Sequence, residues 1–175
     1  MRLTLIKIIL VSIVFSSNAL LSQENNWAQK LSKATELIKT NGTESIKIIN
    51  DLFKQFNSGI IETKDSYHNL YFIRAFANIN SKKYNDAFDD MEEAGFIEFL
   101  KLRKIRKDFG YDSAEEINQK KFVAEIYYWR GVCTLLSKKD NINDNEDVKT
   151  ACEMFQIGGS YGNMEAKEAY EKHCK

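Results

Sequence analysis

YFIRAFANINSKKYNDAFDDMEEAGF, residues 71–96, and YYWRGVCTLLSKKDNINDNEDVKTACEMFQIGGS, residues 127–160, are two versions of one pattern. Tyr71-Phe72-Ile73-Arg74-Ala75 aligns with Tyr127-Tyr128-Trp129-Arg130-Gly131, and Ser81-Lys82-Lys83 with Ser137-Lys138-Lys139. After an insertion at residues 140–147, Ala87-Phe88 meets Ala151-Cys152. Each stretch reads as a helix, a short polar turn and a second helix. A single hairpin of this kind buries its apolar face only against a neighbour, so the repetition predicts stacked hairpins, a short solenoid. Composition agrees: the chain has no proline and only 8 glycines in 175 residues. Strand-rich chains lean on Gly and Pro turns, whereas helix interiors exclude proline. The expected class is all-α.

The pattern resembles the tetratricopeptide repeat, in which a first helix carries aromatics followed by a small residue and a second helix opens on an aromatic, then an alanine, a bulky apolar residue and another small one. Tyr71, Ala75, Tyr84, Ala87, Met91 and Ala94 fill those places in one unit; Tyr127, Gly131, Ala151, Phe155 and Gly158 fill them in the other. The consensus proline after the second helix is missing from both units. Ala75 and Gly131 stand much farther apart than the roughly 34-residue period of a tandem array, so residues 102–123 read as an insertion between a repeat at 65–101 and a repeat at 124–158. The resemblance implies that a peptide or partner protein binds on the concave surface.

Outward from these units, Trp27, Leu31, Ala34, Leu37 and Ile38 recur at helical spacing, as do Ile46, Ile49, Phe53 and Phe56. Residues 23–58 therefore read as a degenerate third hairpin, with Gly42 suited to a positive φ at the turn and Thr43 to capping the next helix. The insertion has its own stripe, Phe99, Leu102, Ile105 and Phe109, and reads as an inserted helix. Ser113-Ala114-Glu115-Glu116 is a capping-box start for the helix leading to Tyr127. Residues 163–175 read as a terminal helix that covers the last hairpin.

Residues 1–22 show a charged start at Arg2 and Lys7, an apolar run from Ile8 to Phe15 and a small-residue exit. That run is much shorter than the roughly 20 residues a membrane-crossing helix needs, which favours a secretory signal peptide, cleaved after Ala19 or Ser22, over an uncleaved anchor. Export to the periplasm or beyond follows as an expectation. The chain has net charge zero, and loss of Arg2 and Lys7 leaves a slight acidic excess. General nucleic-acid binding needs a basic excess and is disfavoured.

Chemistry-bearing constellations are sparse. His68 and His173 are the only histidines, and no CxxC or HExxH spacing gathers them with Cys133, Cys152 and Cys174 into a metal site. GGSYG, residues 158–162, lacks the lysine and hydroxyl of a phosphate loop and reads as a helix terminator and turn. No acid, base and nucleophile set can be assembled, and nothing calls for a cofactor. The basic run Lys101, Arg103, Lys104, Arg106 and Lys107 is a site for an anionic partner on one reading. On the other it is a solvated helix end, since acidic residues 86–93 precede it and the order complements the helix dipole. Phe72, Phe76 and Ile79 form one apolar stripe, and Tyr128, Val132 and Leu135 another. These stripes line the concave groove for a partner, or they are core. The function that follows is an exported, non-catalytic protein-binding or scaffold module. The alternative is a carrier in which the same stripes enclose an apolar small molecule or lipid.

The GGSYG turn would make the flanking helices antiparallel neighbours, which sets Cys152 beside Cys174. A disulfide there, with Cys133 a buried free thiol, is expected over a Cys133–Cys152 link, which would join helices already held by the repeat. For the leader, N-terminal sequencing of exported protein should begin at Leu20 or Gln23. Protein that keeps Met1 and stays in the inner membrane would refute the signal-peptide reading.

Overall fold

A computed structural model describes residues 23–57, 67–137 and 145–175, and every element among them is an α-helix. Residues 1–22, on which the leader and its cleavage sites fall, and most of the second polar turn lie outside the described residues. In chain order the helices are α1 (Gln23–Leu37), α2 (Gly42–Asn57), α3 (Tyr67–Asn80), α4 (Tyr84–Phe109), α5 (Ala114–Ser137), α6 (Asn145–Ser160) and α7 (Met164–His173). Each packs chiefly on the helix before it and the helix after it. None among the described residues is long and apolar enough to cross a membrane.

The first core is built by the rows read from sequence. Leu31, Ala34 and Ile38 of α1 meet Ile49, Leu52 and Phe53 of α2 and Leu70, Ile73 and Ala77 of α3. Ser45, fully buried, donates to the Ala34 carbonyl at 2.7 Å and so satisfies its own hydroxyl at the contact of α1 with α2. The turn between those helices differs from the expected one. Asn41, not Thr43, caps α2, its Oδ1 accepting the Glu44 N–H at 3.1 Å, and Gly42 is already helical. Asn41 precedes the first helical residue, which is where a capping side chain reaches the orphan N–H groups.

In the repeats, small residues stand where helices approach most closely. Ala75 of α3 is buried with Met91 and Ala94 of α4 and Ile126 of α5. The equivalent Gly131 lies so close to Phe155 of α6 that a Cβ there would be 2.6 Å from the ring. The two units thus solve one packing problem in two ways, a methyl against a thioether and a bare backbone against a phenyl ring.

The insertion does not fold as a helix of its own. Its residues lengthen α4 and α5, which run 26 and 24 residues and meet at the turn Gly110–Ser113. Gly110 and Asp112 take the positive φ values of 84° and 61° that this tight reversal requires. Ser113 and Glu116 form the expected capping pair, the Glu116 N–H donating to Ser113 Oγ at 3.2 Å. The carboxylate of Glu116 reaches back one residue further than the standard box, accepting the Asp112 N–H at 2.7 Å.

The GGSYG stretch also divides differently from its reading as a turn. Gly158 and Gly159 belong to α6, and Gly162, with φ of 96°, makes the reversal into α7. Gly158 is required by contact instead: a Cβ there would lie 3.0 Å from the Ala124 carbonyl oxygen and 3.1 Å from Ala166 Cβ. Asn163 caps α7 by accepting the Ala166 N–H at 2.7 Å and also donates to Glu125 of α5 at 2.9 Å. The reversal brings the middle of α6, not its start, to the end of α7, where Cys152 and Cys174 are joined in a disulfide with Cα atoms 5.7 Å apart. Cys133 is the buried free thiol, its pKa pushed up to about 12 by burial.

Closing a loop of 22 residues stabilises by about 3 kcal/mol on the chain-entropy account. Cys174→Ser should therefore lower the melting temperature measurably while leaving most of the helical circular dichroism in place. Non-reducing peptide mapping should recover Cys152 joined to Cys174, with Cys133 alkylated only after denaturation. A Cys133–Cys152 peptide, or three reactive thiols in the oxidised native protein, would contradict the pairing.

Candidate partner-binding surfaces

Helix α3 presents two faces. Its buried row, Leu70, Ile73 and Ala77, belongs to the first core, and its other apolar row, Phe72, Phe76 and Ile79, turns towards α5. These three are half-buried and pack against Ala75, Met91, Ala94 and Ile126. Phe72 and Phe76 are stacked at a centroid distance of 6.5 Å, and Phe76 meets Trp129 edge-on at 5.2 Å.

Tyr128, Val132 and Leu135 are half-buried as well, but they do not complete a single strip with the α3 residues. Tyr128 approaches Phe155 of α6 at 6.2 Å and its own neighbour Trp129 at 5.1 Å. The reason is geometric. Where helices pack in succession, equivalent positions in successive units point the same way along the stack, so they cannot meet each other. The forward face of α3 meets the backward face of α5, and that face carries Trp129.

Trp129 was therefore the residue missed from sequence. Its signal was present at a different spacing, since Trp129 lies three residues after Ile126 and four after Glu125, on one face of the helix. Its indole N–H donates to Glu125 Oε1 at 2.7 Å, while Glu125 Oε2 accepts from Asn163. Burial pushes the Glu125 carboxyl pKa up, against the pull of those two donors. The indole is thus held from α7 through one carboxylate.

The basic run separates into residues with internal partners and residues facing solvent. Lys101 pairs with buried Glu98 at 2.9 Å and donates to His68 Nδ1 at 3.0 Å. Gln119 of α5 also donates to Glu98, so one carboxylate joins α3, α4 and α5. Arg106 donates to Glu116 at 2.7 Å and lies over the Tyr111 ring at 5.1 Å. Arg103, Lys104 and Lys107 are exposed and have no carboxylate partner among the described residues. Arg103, Arg106 and Lys107 line an open groove of about 590 Å³ together with Phe99 and Tyr111.

No three His, Cys, Asp or Glu side chains among the described residues gather closely enough to hold a metal ion. No family model, no curated protein and no solved structure matches the chain.

The joint of α4 with α5 titrates in acid. Burial pushes the Glu116 carboxyl up, but the hydrogen bonds from Arg106, the Asp112 N–H and Lys120 outweigh it and bring the pKa down to about 2 from an ordinary 4.5. A carboxyl depressed on folding stabilises fully above its unfolded pKa and loses that contribution as pH falls towards its folded one. Thermal melts should show wild-type stability falling between pH 4.5 and 2, and Glu116→Gln should be less stable at neutral pH with a flatter acid limb. An acid limb of unchanged slope in the variant would remove Glu116 from this role.

Proposed function

We propose that the chain is an exported, tetratricopeptide-like binding module that takes a peptide or partner protein along the inner face of α3 and α5, with binding rather than catalysis as its role. The observation that carries this reading is the strip Phe72, Phe76, Ile79 and Trp129. It is half-buried on helices packed in succession, and not closed off in a core. Aromatic side chains held in place by packing yet open on one side are the usual anchors of protein recognition, because they bury large area at low entropy cost. The two units' matching small residues, Ala75 and Gly131, support the repeat relationship from which the inner face takes its role. A disulfide persists in an oxidising compartment, and the Cys152–Cys174 bond is compatible with export.

The test compares binding with folding. Protein beginning at Gln23 would be used to capture partners from an envelope extract, and the affinity of the recovered partner would be measured for wild type, Phe72→Ala and Trp129→Ala. Weaker binding by folded variants with unchanged far-ultraviolet helical signal is the expected result. If both variants instead lose about 3 to 5 kcal/mol, the cost of truncating core aromatics, and yield no folded, non-binding species, the strip is core and the groove reading fails. Native mass spectrometry of the purified protein adds the remaining arm. A stoichiometric co-purifying lipid or small molecule would replace the module with a carrier.

A further inference from the structure

The exposed side of α4 runs from acidic residues, Asp89, Glu92 and Glu93, through a short apolar stretch to a basic end. Ala87, Asp90, Met91, Ala94, Glu98 and Leu102 face inward. On the far side, Phe96, Phe99 and Leu100 are 63, 39 and 46% exposed, and the same side continues one turn on into Arg103 and Lys107. Tyr111, 75% exposed on the turn after α4, closes the far wall of the groove that holds Arg103, Arg106 and Lys107.

The helix dipole accounts for part of the basic charge. It acts within the last turn, where Arg106 and Lys107 stand, and Arg106 is already engaged by Glu116. Arg103 lies beyond that turn, and no dipole argument explains three large apolar side chains left in water beside it. Apolar area left in water is area that a partner could bury. Nearby negative charge is partly answered within the fold: Glu116 is buried under Arg106 and Lys120, and Asp112 has Lys120 at 3.7 Å, while Asp108 beside Lys107 stays exposed. The groove therefore presents positive charge next to aromatic surface.

We infer that this outer face of α4 is a second docking site, for an acidic segment of another protein whose apolar side chains seat on Phe96, Phe99 and Leu100 and whose carboxylates meet Arg103 and Lys107. Charge complementarity selects the partner. Arg103 and Lys107 are i, i+4 neighbours, with Cβ atoms about 5 to 6 Å apart, which suits two carboxylates on successive turns or alternate strand positions of a ligand. The open groove between Phe99 and Tyr111 gives a side chain a place to seat, which favours a peptide over the smooth surface of a bilayer. The site lies on a different face from the Phe72–Trp129 strip, so its failure leaves the proposed function standing.

Random dodecapeptides displayed on phage and panned on the full chain supply the probe. Selected clones should combine apolar residues with neighbouring Asp or Glu. Their binding should weaken by about tenfold or more on Arg103→Glu/Lys107→Glu protein, and fall with added salt as exposed charge pairs do. Lys33→Glu protein, altered at an exposed cation on α1, should bind the same clones as wild type does. Both substituted cations are exposed and have no ion-pair partner among the described residues, so the charge-reversed protein should stay folded with only the small fall in melting temperature that loss of the dipole contribution of Lys107 brings, and Phe96→Ser supplies an uncharged second variant with the same expected loss of binding. The absence of any acid-enriched clone, or acid-enriched clones bound equally by the charge-reversed protein, would overturn the proposal. So would charge-dependent co-sedimentation with phosphatidylglycerol vesicles in the absence of peptide selection, which would assign the face to a lipid surface.

Discussion

Arg74 is the side chain through which three helices are held in register. It leaves α3 and donates through Nε and Nη2 to Asp90 of α4, at 2.6 to 3.0 Å, and through Nη1 to Asn50 of α2 at 2.7 Å. Its guanidinium also lies 4.5 Å from the centre of the Phe53 ring. Asp90 is only 5% exposed and takes a further hydrogen bond from Asn78. A planar guanidinium can donate in several directions while its face stacks on an aromatic, which an ammonium cannot do. The arrangement costs desolvation of two charges and returns orientation, because removal of either partner strands the other in a buried place.

The repeat carries this device forward in altered form. Arg130, the equivalent of Arg74, lies 5.0 Å over Phe88 of the preceding helix, as Arg74 lies over Phe53, and pairs with Glu92 at 2.8 Å. The backward contact, cation on aromatic, is thus common to both units. The forward contact is not: Met154 of α6 stands where Asp90 stands in the first unit, and the second unit relies there on Phe155 against Gly131. One unit is fixed by a buried ion pair and the other by ring packing, so small residues stand at equivalent places in both while the polar positions differ.

Hairpins, the Ser113 cap and the cystine were legible because each depends on residues close in sequence or on one simple reversal, whereas the cap of α2 fell to Asn41 and not to Thr43. The Ser113–Glu116 box needs only a turn of helix, and the Cys152–Cys174 pair needs only that α6 and α7 lie antiparallel. Three other readings went differently, and each for a tertiary reason. The stripe of Phe99, Leu102 and Ile105 belongs to α4 itself, because no breaker lies between Tyr84 and Phe109 and Gly95 is tolerated where its missing side chain lets Ile126 approach. Gly158 looks like a terminator until the Ala124 carbonyl is seen against it. Trp129 was passed over because alignment of repeats finds equivalent residues, whereas a binding or packing surface joins forward faces to backward ones. Of the two candidate surfaces, the basic run was visible as charge, but which cations stay free depended on where Glu98 and Glu116 fold back.

Those two carboxylates bear on how the binding surfaces are supported. Glu98 faces the first turn of α3 and Glu116 stands in the first turn of α5, and together they tie α4 to α3 and α5 through His68, Lys101, Gln119, Arg106 and Lys120. By taking Lys101 and Arg106 they also decide which cations remain outside. At the other end the ten-residue α7 is too short to be stable by itself in water, and only Ala166 of its residues is buried. It is held by its Asn163 cap at one end and by the cystine at the other, so that Asn163 can keep its hydrogen bond to Glu125, and through Glu125 to the indole of Trp129. The disulfide at the terminus and the inner aromatic face are thereby connected through one carboxylate, and the order of the last helix becomes a condition for the rigidity of the surface two helices away.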